Sequence, residues 1–332
     1  MRLLRRASSK RGPTRIFFAV DIHGSEPTFR KFVNAARVYE ADVLVFGGDL
    51  MGKAVVPIVR QNGGAHRAFF LDEVHELDGP DAMAAFTAGV ERAGFYWIVV
   101  DPEEYDTYSA DSNAVDRLFV RLARDRLAAW MRFAEERLAG SGVRCFLTGG
   151  NDDMPEVLTV LEEEAGGAVQ PCEDRVVELD DQHTMITIGY SSPTPWDTPR
   201  EATEEQMAHL IEASAARVPD PARCIFNLHA PPLDSGLDRC VKLDASTDPP
   251  TPITMAGRPV YVGGGSRAVR EAIQTYQPVV GLHGHIHESP GQITYGRTRC
   301  FNPGSEYGQG VLNGVLVSIR DGELVSYQHT CG

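Results

Sequence analysis

The sequence Gly281-Leu282-His283-Gly284-His285-Ile286-His287 follows a short apolar run, residues 278–280, that is typical of a buried strand. Alternate side chains of an extended backbone point to the same side, so His285 and His287 can serve one site together. Histidines at this spacing also occur on solvated strands, so the pair alone does not identify a site. The other strand ends of the chain decide whether these two imidazoles have partners.

A strand–helix–strand unit near the start of the chain places three more polar side chains at strand ends. The apolar run IFFAV, residues 16–20, predicts a buried strand that is followed by Asp21 and His23. The run VLVF, residues 43–46, predicts a second strand that is followed by Asp49. The segment between them is typical of a helix, so the two strands are expected to lie parallel with a right-handed crossover.

Two further apolar runs, residues 143–147 and 224–228, predict strands that lead to Asn151 and His229. Ligands of open α/β sheets gather beyond the carboxyl ends of the strands, so side chains from five strand ends can converge. All of them offer oxygen or nitrogen and none is a thiolate, which suits Mn, Fe, Zn or Ni. Such a set exceeds one tetrahedral site but fits two metals that share a carboxylate. The predicted metal ligands are Asp21, His23, Asp49, Asn151, His229, His285 and His287.

The segment from about residue 53 to 142 has a different pattern. Residues 81–92 and 114–139 are predicted helices, since apolar side chains recur at helical spacing. Residues 95–100 predict a strand, followed by an acidic turn at residues 101–106. We interpret the segment as a helical elaboration of one domain. A cap over the site is the alternative that the sequence leaves open.

The composition is that of an ordinary globular protein of 332 residues with a net charge of −14. Residues 1–15 carry only basic charges and are expected to form a flexible tail, followed by one domain over residues 16–332. The acidic remainder argues against long nucleic acid as a partner. No apolar run is long enough for a membrane span and no secretory signal is evident. The six scattered cysteines favour a reducing cytoplasm.

The motifs Asp-x-His, Gly-Asp-x-x-Gly, Gly-Asn-Asp, a His after a strand and Gly-His-x-His occur in this order. This ordered set resembles the calcineurin-like metallophosphoesterase superfamily over residues 16–305. The sequences of residues 282–289 and 302–305 (LHGHIHES and NPGS) resemble those of the branch related to Icc-type cyclic-nucleotide phosphodiesterases. The resemblance implies an α/β fold of two packed mixed β-sheets flanked by helices, a four-layer αββα sandwich.

The same resemblance implies two divalent metals bridged by Asp49, with manganese preferred among the candidate metals. One metal would be held by Asp21, His23, Asp49 and His287. The second would be held by Asp49, Asn151, His229 and His285. The implied reaction is hydrolysis of a phosphoester, in which a hydroxide shared by the metals attacks phosphorus. A small phosphodiester or nucleotide is the expected substrate; the sequence does not predict an oligomeric state.

Asp152 is a departure from the superfamily pattern. Many members carry a His after the Asn, and that His is thought to protonate the leaving group. An ionised Asp152 would repel a phosphate dianion, so its role stays open among three alternatives. It could be a replacement acid, a residue that orients the site, or a turn residue.

Other charged residues and histidines are weaker candidates. Lys53, Arg239 and Arg267 could contact substrate phosphate, and His283 could support a metal ligand. The remaining histidines are expected to be surface or structural residues: His66, His75, His183, His209 and His329.

Two other functions remain compatible with the sequence. The superfamily fold also serves as a non-catalytic protein-binding scaffold where the metal ligands have been lost, but here the ligand set is complete. A nuclease would be expected to have a basic groove, which the acidic composition disfavours.

Overall fold

The computed structural model describes residues 12–332. Most of the predicted basic tail, residues 1–11, lies outside this range. Thr14 and Arg15, which we assigned to the tail, instead begin the first strand. They pair with Ile319 and Ser318 of a C-terminal strand. The boundary of the tail was therefore predicted too far into the chain.

The helices and strands alternate along the chain. The α-helices are α1 (Glu26–Val38), α2 (Gly79–Arg92), α3 (Pro102–Ala110), α4 (Ser112–Leu138), α5 (Pro155–Glu163), α6 (Glu204–Ala215) and α7 (Arg267–Tyr276). The strands are β1 (Thr14–Ala19), β2 (Val43–Phe46), β3 (Val55–Arg60), β4 (His66–Phe70), β5 (Glu73–Leu77), β6 (Tyr96–Val100), β7 (Arg144–Leu147), β8 (Val169–Pro171), β9 (Val177–Glu178), β10 (Thr184–Ile188), β11 (Cys224–Leu228), β12 (Arg239–Val241), β13 (Leu243–Asp244), β14 (Thr251–Pro252), β15 (Thr254–Met255), β16 (Arg258–Pro259), β17 (Tyr261–Gly263), β18 (Val280–Leu282), β19 (Gly291–Tyr295), β20 (Thr298–Asn302), β21 (Asn313–Arg320) and β22 (Glu323–Cys331).

Two six-stranded mixed sheets form the body of the molecule. The first sheet has the order β22-β21-β1-β2-β7-β8, in which β1, β2, β7 and β8 are parallel. The second has the order β19-β20-β18-β11-β10-β9, in which β20, β18, β11 and β10 are parallel. Antiparallel hairpin strands close one edge of each sheet. The parallel strands at the centre bring their carboxyl ends to one edge, as the sequence predicts.

The alternation of side chains along β1 explains the layering. Ile16 and Phe18 point into the core between the two sheets, whereas Phe17 and Ala19 point to the helices that cover the first sheet. Because both faces are buried, the strand reads as a continuous apolar run. Helices α1, α4 and α5 pack on the first sheet, and α6 and α7 pack on the second. The predicted four-layer αββα sandwich is confirmed.

The segment after β2 contains more strand than we expected. Strands β5-β4-β3-β6 form a separate four-stranded sheet, which packs on α2 around Val56, Ile58 and Val90. We predicted only β6 among these strands. Pro57 and the charged residues of β4 and β5 obscure the alternation that normally indicates a strand. The predicted helices α2 and α4 are present within two residues of their expected starts.

Helix α3 was also missed, because we interpreted its acidic residues as a turn. Asp101 accepts a hydrogen bond from the Glu104 backbone N–H, and the Glu104 side chain accepts one from the Asp101 N–H. This reciprocal capping, together with Pro102 at the first helical position, begins a helix. No helix of residues 12–332 is long and apolar enough to cross a bilayer.

Candidate metal centre

The loops that follow β1, β2, β7, β11 and β18 meet at one edge of the sandwich. The first three belong to the first sheet and the last two to the second. Backbone hydrogen bonds connect these loops: the Asp21 N–H donates to Gly48 O (2.9 Å) and the Gly284 N–H donates to His229 O (2.9 Å). The predicted ligands are therefore brought together from both sheets.

Asp21, His23, Asp49 and His287 form a compact group whose potential ligand atoms all lie within 4.8 Å of one another. His23 Nε2 is 3.0 Å from His287 Nε2 and 3.5 Å from Asp49 Oδ2. Two ligands about 2.1 Å from one metal, in neighbouring positions about 90° apart, would be separated by about 3.0 Å. The spacing of these donors thus fits a single cation.

Asn151, His229 and His285 form a second group, which meets Asp49 through His229. His229 Nε2 is 3.1 Å from Asn151 Oδ1 and 3.5 Å from Asp49 Oδ2. The His285 ring centroid lies 5.5 Å from that of His229. Asp49 is within reach of both groups, which is the position a bridging carboxylate requires.

The electrostatics of the group suit a metal better than a set of free ionised side chains. Burial holds the pKa of His23 well below its usual value and lowers that of His285 to about 3 and that of His287 to about 4. These imidazoles are therefore neutral, the form that binds a metal. Burial would raise the pKa of Asp49, but the positive charge and hydrogen bond of His229 outweigh burial and hold the pKa well below its usual value.

His229 differs from the other three histidines. Burial alone would lower its pKa, but Asp49 and then Asp21 outweigh burial and raise it to about 9. Its Nδ1 lies 3.0 Å from the Gly47 carbonyl oxygen, which fixes Nδ1 as the donor. Nε2 is thus the atom directed at Asn151 and Asp49. A cation placed there would take over the charge that the His229 proton now supplies.

Several predicted ligands have an unusual backbone conformation. The residues concerned have positive φ although none is glycine: Asp21 (56°), His23 (39°), Asp49 (59°) and His285 (68°). Such residues are held in place by their surroundings at functional sites. Glycine is required at two neighbouring positions, Gly150 and Gly284, because carboxylate oxygens of the predicted ligands lie too close for a Cβ atom. A Cβ on Gly150 would lie 2.1 Å from Asp49 Oδ1, and one on Gly284 would lie 2.8 Å from Asp21 Oδ2.

Asp152 contacts the group through its backbone and its side chain. Its N–H donates to Asp49 Oδ1 (3.0 Å), and its Oδ1 accepts a hydrogen bond from Asn151 Nδ2 (3.1 Å). The Asn151 amide also donates to Thr198 Oγ1 (3.0 Å), so Asn151 Oδ1 is left facing His229. Asp152 also forms an ion pair with Lys53. These contacts are compatible with orientation of the site, and burial, followed by the charge of Asp49, raises the Asp152 pKa as a replacement acid requires, so its three possible roles stay predictions.

The structure also shows supporting residues that we did not predict. Buried Asp153 accepts hydrogen bonds from backbone N–H groups of the Asp49 and Asn151 loops. Buried Arg200 donates to Gly150 O (3.0 Å) and pairs with Glu173. The Tyr307 ring packs against the rings of His23 and His287, at centroid distances of 4.8 and 5.9 Å. Only Asp153 had a local signal, because it directly follows the Gly-Asn-Asp motif.

The motif of residues 302–305 (NPGS) forms hydrogen bonds with two loops of the candidate metal centre. Asn302 Nδ2 donates to Ile286 O (2.9 Å), and Ser305 Oγ donates to Asp21 O (2.5 Å). The Ser305 N–H donates to His287 O (3.2 Å). The motif that we recognised by resemblance thus connects the β1 loop to the β18 loop.

The remaining candidates lie in different places. His283 is buried, with Nδ1 2.8 Å from Leu228 O, so it braces the backbone before His229. Arg239 stacks on Tyr261, and Arg267 is exposed at the start of α7. Within the described chain, neither arginine side chain contacts the predicted ligands. His183 is structural and buried; His66, His75, His209 and His329 are not among the converging residues.

Comparisons with known proteins agree with the architecture. No protein-family model and no curated protein matches the chain. Among solved structures, TT1561 of Thermus thermophilus is similar, with a TM-score of 0.55 and 14% identity over 96% of this chain and 98% of that one. At this identity the likeness shows the fold alone. The class of fold that the two packed sheets and their flanking helices define is the four-layer αββα sandwich.

Two solved structures of lower similarity belong to proteins that are named for an activity. The calcineurin-like phosphoesterase YfkN from Bacillus subtilis has a TM-score of 0.42 and 12% identity, covering 96% of this chain and 90% of that one. A dimetal phosphatase from Danio rerio has a TM-score of 0.43 and 9% identity, covering 96% and 99%. Similarity at these scores carries no argument about the activity of this chain.

Proposed function

We propose that this protein is a dinuclear-metal phosphoesterase that hydrolyses a small phosphodiester or nucleotide. The observation that carries the proposal is the position of Asp49 between two sets of donors. One set is Asp21, His23 and His287, and the other is Asn151 and His229. Asp49 Oδ2 lies 3.5 Å from the Nε2 atoms of both His23 and His229. Two cations held by these residues would supply an activated water and neutralise charge on the phosphoryl group. Manganese is the metal that we propose, and the cytoplasm is the proposed location.

The residues of the chain perform the organising part of this chemistry. Asp49 keeps its negative charge because His229 holds its pKa down. Gly47 fixes the ring of His229, and Asp152 and Thr198 fix the amide of Asn151. Donors that are already oriented cost little reorganisation when a charged substrate arrives. The acidic composition supports small substrates over long nucleic acid.

Replacement of Asp49 by Ala tests the proposal. The change removes the shared carboxylate, so turnover of a bis(aryl) phosphate reporter with Mn²⁺ should fall by about a thousandfold or more. The metal content of the purified variant should also fall. Asp116→Ala is the matched control, because Asp116 is an exposed carboxylate on α4. Full turnover by Asp49→Ala would refute the assignment.

Metal analysis separates this function from the scaffold alternative. A phosphoesterase with this centre should bind close to two transition metals per chain after loading with Mn²⁺. A protein that binds less than one tightly held metal would instead be a non-catalytic scaffold.

A further inference from the structure

Lys53 lies where the loop after β2 meets the third sheet, the four-stranded sheet β5-β4-β3-β6. Its backbone N–H donates to Gly94 O (3.2 Å), and the neighbouring Gly52 N–H donates to the Tyr96 hydroxyl (2.9 Å). A Cβ on Gly52 would lie 2.3 Å from Gly94 O, so these two backbones are in close contact. These contacts hold the Lys53 backbone in place, so only its side chain can change conformation.

The Lys53 side chain points back to the candidate metal centre. Its ammonium pairs with Asp152, whose N–H is bound to Asp49 and whose Oδ1 accepts from Asn151. Asp152 Oδ2 is also 3.7 Å from His23 Nδ1. A single side chain thus separates the ammonium from three predicted metal ligands. About 38% of the Lys53 side chain remains exposed, so the side chain borders on solvent.

The charges around the candidate metal centre indicate a role for the Lys53 ammonium. Asp21, Asp49, Asp152 and Asp153 place four carboxylates around the loops. The guanidinium of Arg200 is buried and occupied by Glu173 and Gly150 O. In the part of the chain that the structure describes, Lys53 is the partly exposed cation attached to this group. An arriving phosphate needs a cation on the solvent side, and a lysine supplies one as a compact point charge.

We propose that Lys53 binds a non-bridging oxygen of the substrate phosphate and that Asp152 positions it. The inference rests on the proposed phosphoesterase function and names a substrate-binding residue for the same site. The Asp152 carboxylate would otherwise repel the phosphate; paired with Lys53, it holds the ammonium beside the metal ligands. The competing explanation is that Lys53 only neutralises Asp152 and never touches substrate.

Binding of inorganic phosphate to the Mn²⁺-loaded protein, measured by calorimetry, tests the proposal without turnover. Lys53→Met should weaken phosphate binding by about tenfold to a hundredfold, the effect of losing a hydrogen bond to a charged group. The metal content should stay unchanged. Arg67→Met is the control, because it removes the cation of an exposed ion pair with Glu76 on the third sheet.

The double variant Lys53→Met/Asp152→Asn decides between the two explanations. It removes both charges, so the net charge of the edge equals that of the wild type, and the introduced amide oxygen can still accept from Asn151. If Lys53 binds phosphate, the double variant stays at least about tenfold weaker than the wild type. Recovery of wild-type binding, or a wild-type protein that binds no phosphate, would overturn the proposal.

The two proposals can fail separately. A protein that binds phosphate through Lys53 but hydrolyses no phosphoester would leave the binding residue assigned and refute the enzymatic function. A protein that hydrolyses phosphoesters while the double variant binds phosphate normally would refute the role of Lys53 alone.

Discussion

Asp153 is a fully buried carboxylate that accepts hydrogen bonds from three backbone N–H groups. The donors are Leu50 (2.9 Å), Met51 (2.6 Å) and Gly150 (2.7 Å). Burial, and then the charge of Asp49, raises the pKa of Asp153 to about 6, although the three N–H groups oppose this rise. The residue therefore joins the loop after β2 to the loop after β7, and through them positions Asp49 and Asn151.

Asp153→Asn should disturb both loops. An amide offers one acceptor oxygen, and its NH₂ group faces backbone donors, so at least one N–H loses its partner. We expect the free energy of unfolding to fall by about 2–3 kcal/mol in urea titrations, together with weaker Mn²⁺ binding. Asp116→Asn, an exposed change of the same type, is the control. Unchanged stability and metal content would show that Asp153 does not organise the loops.

At the residue scale, the sequence predicts the donors and misses their supports. Asp21, Asp49 and His229 each follow an apolar run, so their convergence follows from the geometry of parallel strands. Tyr307 and Arg200 reach the centre from distant loops, where no periodic pattern marks them. Their roles depend on contacts between segments that are far apart in sequence, which one sequence does not reveal.

The packing of α4 on α1 is the clearest contact at the scale of helices. Trp130 of α4 is 2% exposed and stacks on Phe29 of α1, with ring centroids 4.3 Å apart and planes 4° apart. Its indole N–H donates to the Glu26 carboxylate in the first turn of α1. One side chain thus supplies apolar contact and a partly buried hydrogen bond to the layer that covers the first sheet.

Trp130→Ala should lower the free energy of unfolding by about 3–5 kcal/mol, because it leaves a cavity between the two helices. Trp130→Phe keeps an aromatic ring and loses the hydrogen bond, so its free energy of unfolding should fall clearly less than that of Trp130→Ala. Urea titrations of both variants measure the two losses. Equal losses would mean that the bond to Glu26, and not the packing, stabilises this layer.

Strands that are buried on both faces were predicted from the sequence, whereas several exposed strands were not. β1, β2, β7 and β11 are buried on both faces and read as apolar runs, so they were predicted. Strands β3, β4 and β5 pair in a small sheet with much exposure and a mixed sequence, so periodicity did not identify them. Helix α3 was recognisable only from its cap.

At the scale of the whole molecule, a second connection joins the two sheets at the end opposite the candidate metal centre. Asp180, in the turn between β9 and β10, accepts a hydrogen bond from Thr14 of β1 (2.5 Å). His183 Nδ1 is 2.7 Å from Asp180 Oδ2, and its Nε2 accepts from the Gly322 N–H (2.9 Å). Hydrogen bonds therefore connect the two sheets at both ends of their parallel strands.

This connection should depend on pH through Asp180. Burial would raise its pKa, but hydrogen bonds from Thr14, His183 and the Gln182 backbone outweigh burial and lower it. A lowered folded-state pKa adds stability that is present above the unfolded value, about 3.9, and is lost as pH falls through the folded value.

Asp180→Asn should therefore be less stable than the wild type at pH 7, by about 1 kcal/mol. The difference should shrink as the pH is lowered below about 4. Urea titrations of both proteins between about pH 7 and pH 3 provide the measurement, with Asp116→Asn as the reference. A difference that is constant over this range would contradict the assigned role of the Asp180 charge.

The neighbour of β1 on its second side is β21, which is separated from it by almost the whole chain. During synthesis, β1 therefore remains an open sheet edge until residues 313–320 have left the ribosome. All seven donors exist before that moment, but β1, the strand that leads to Asp21 and His23, does not yet have a neighbour on both sides. Loading of metal should consequently be a late event, and a nonsense mutation shortly before residue 313 should abolish it without removing a single ligand.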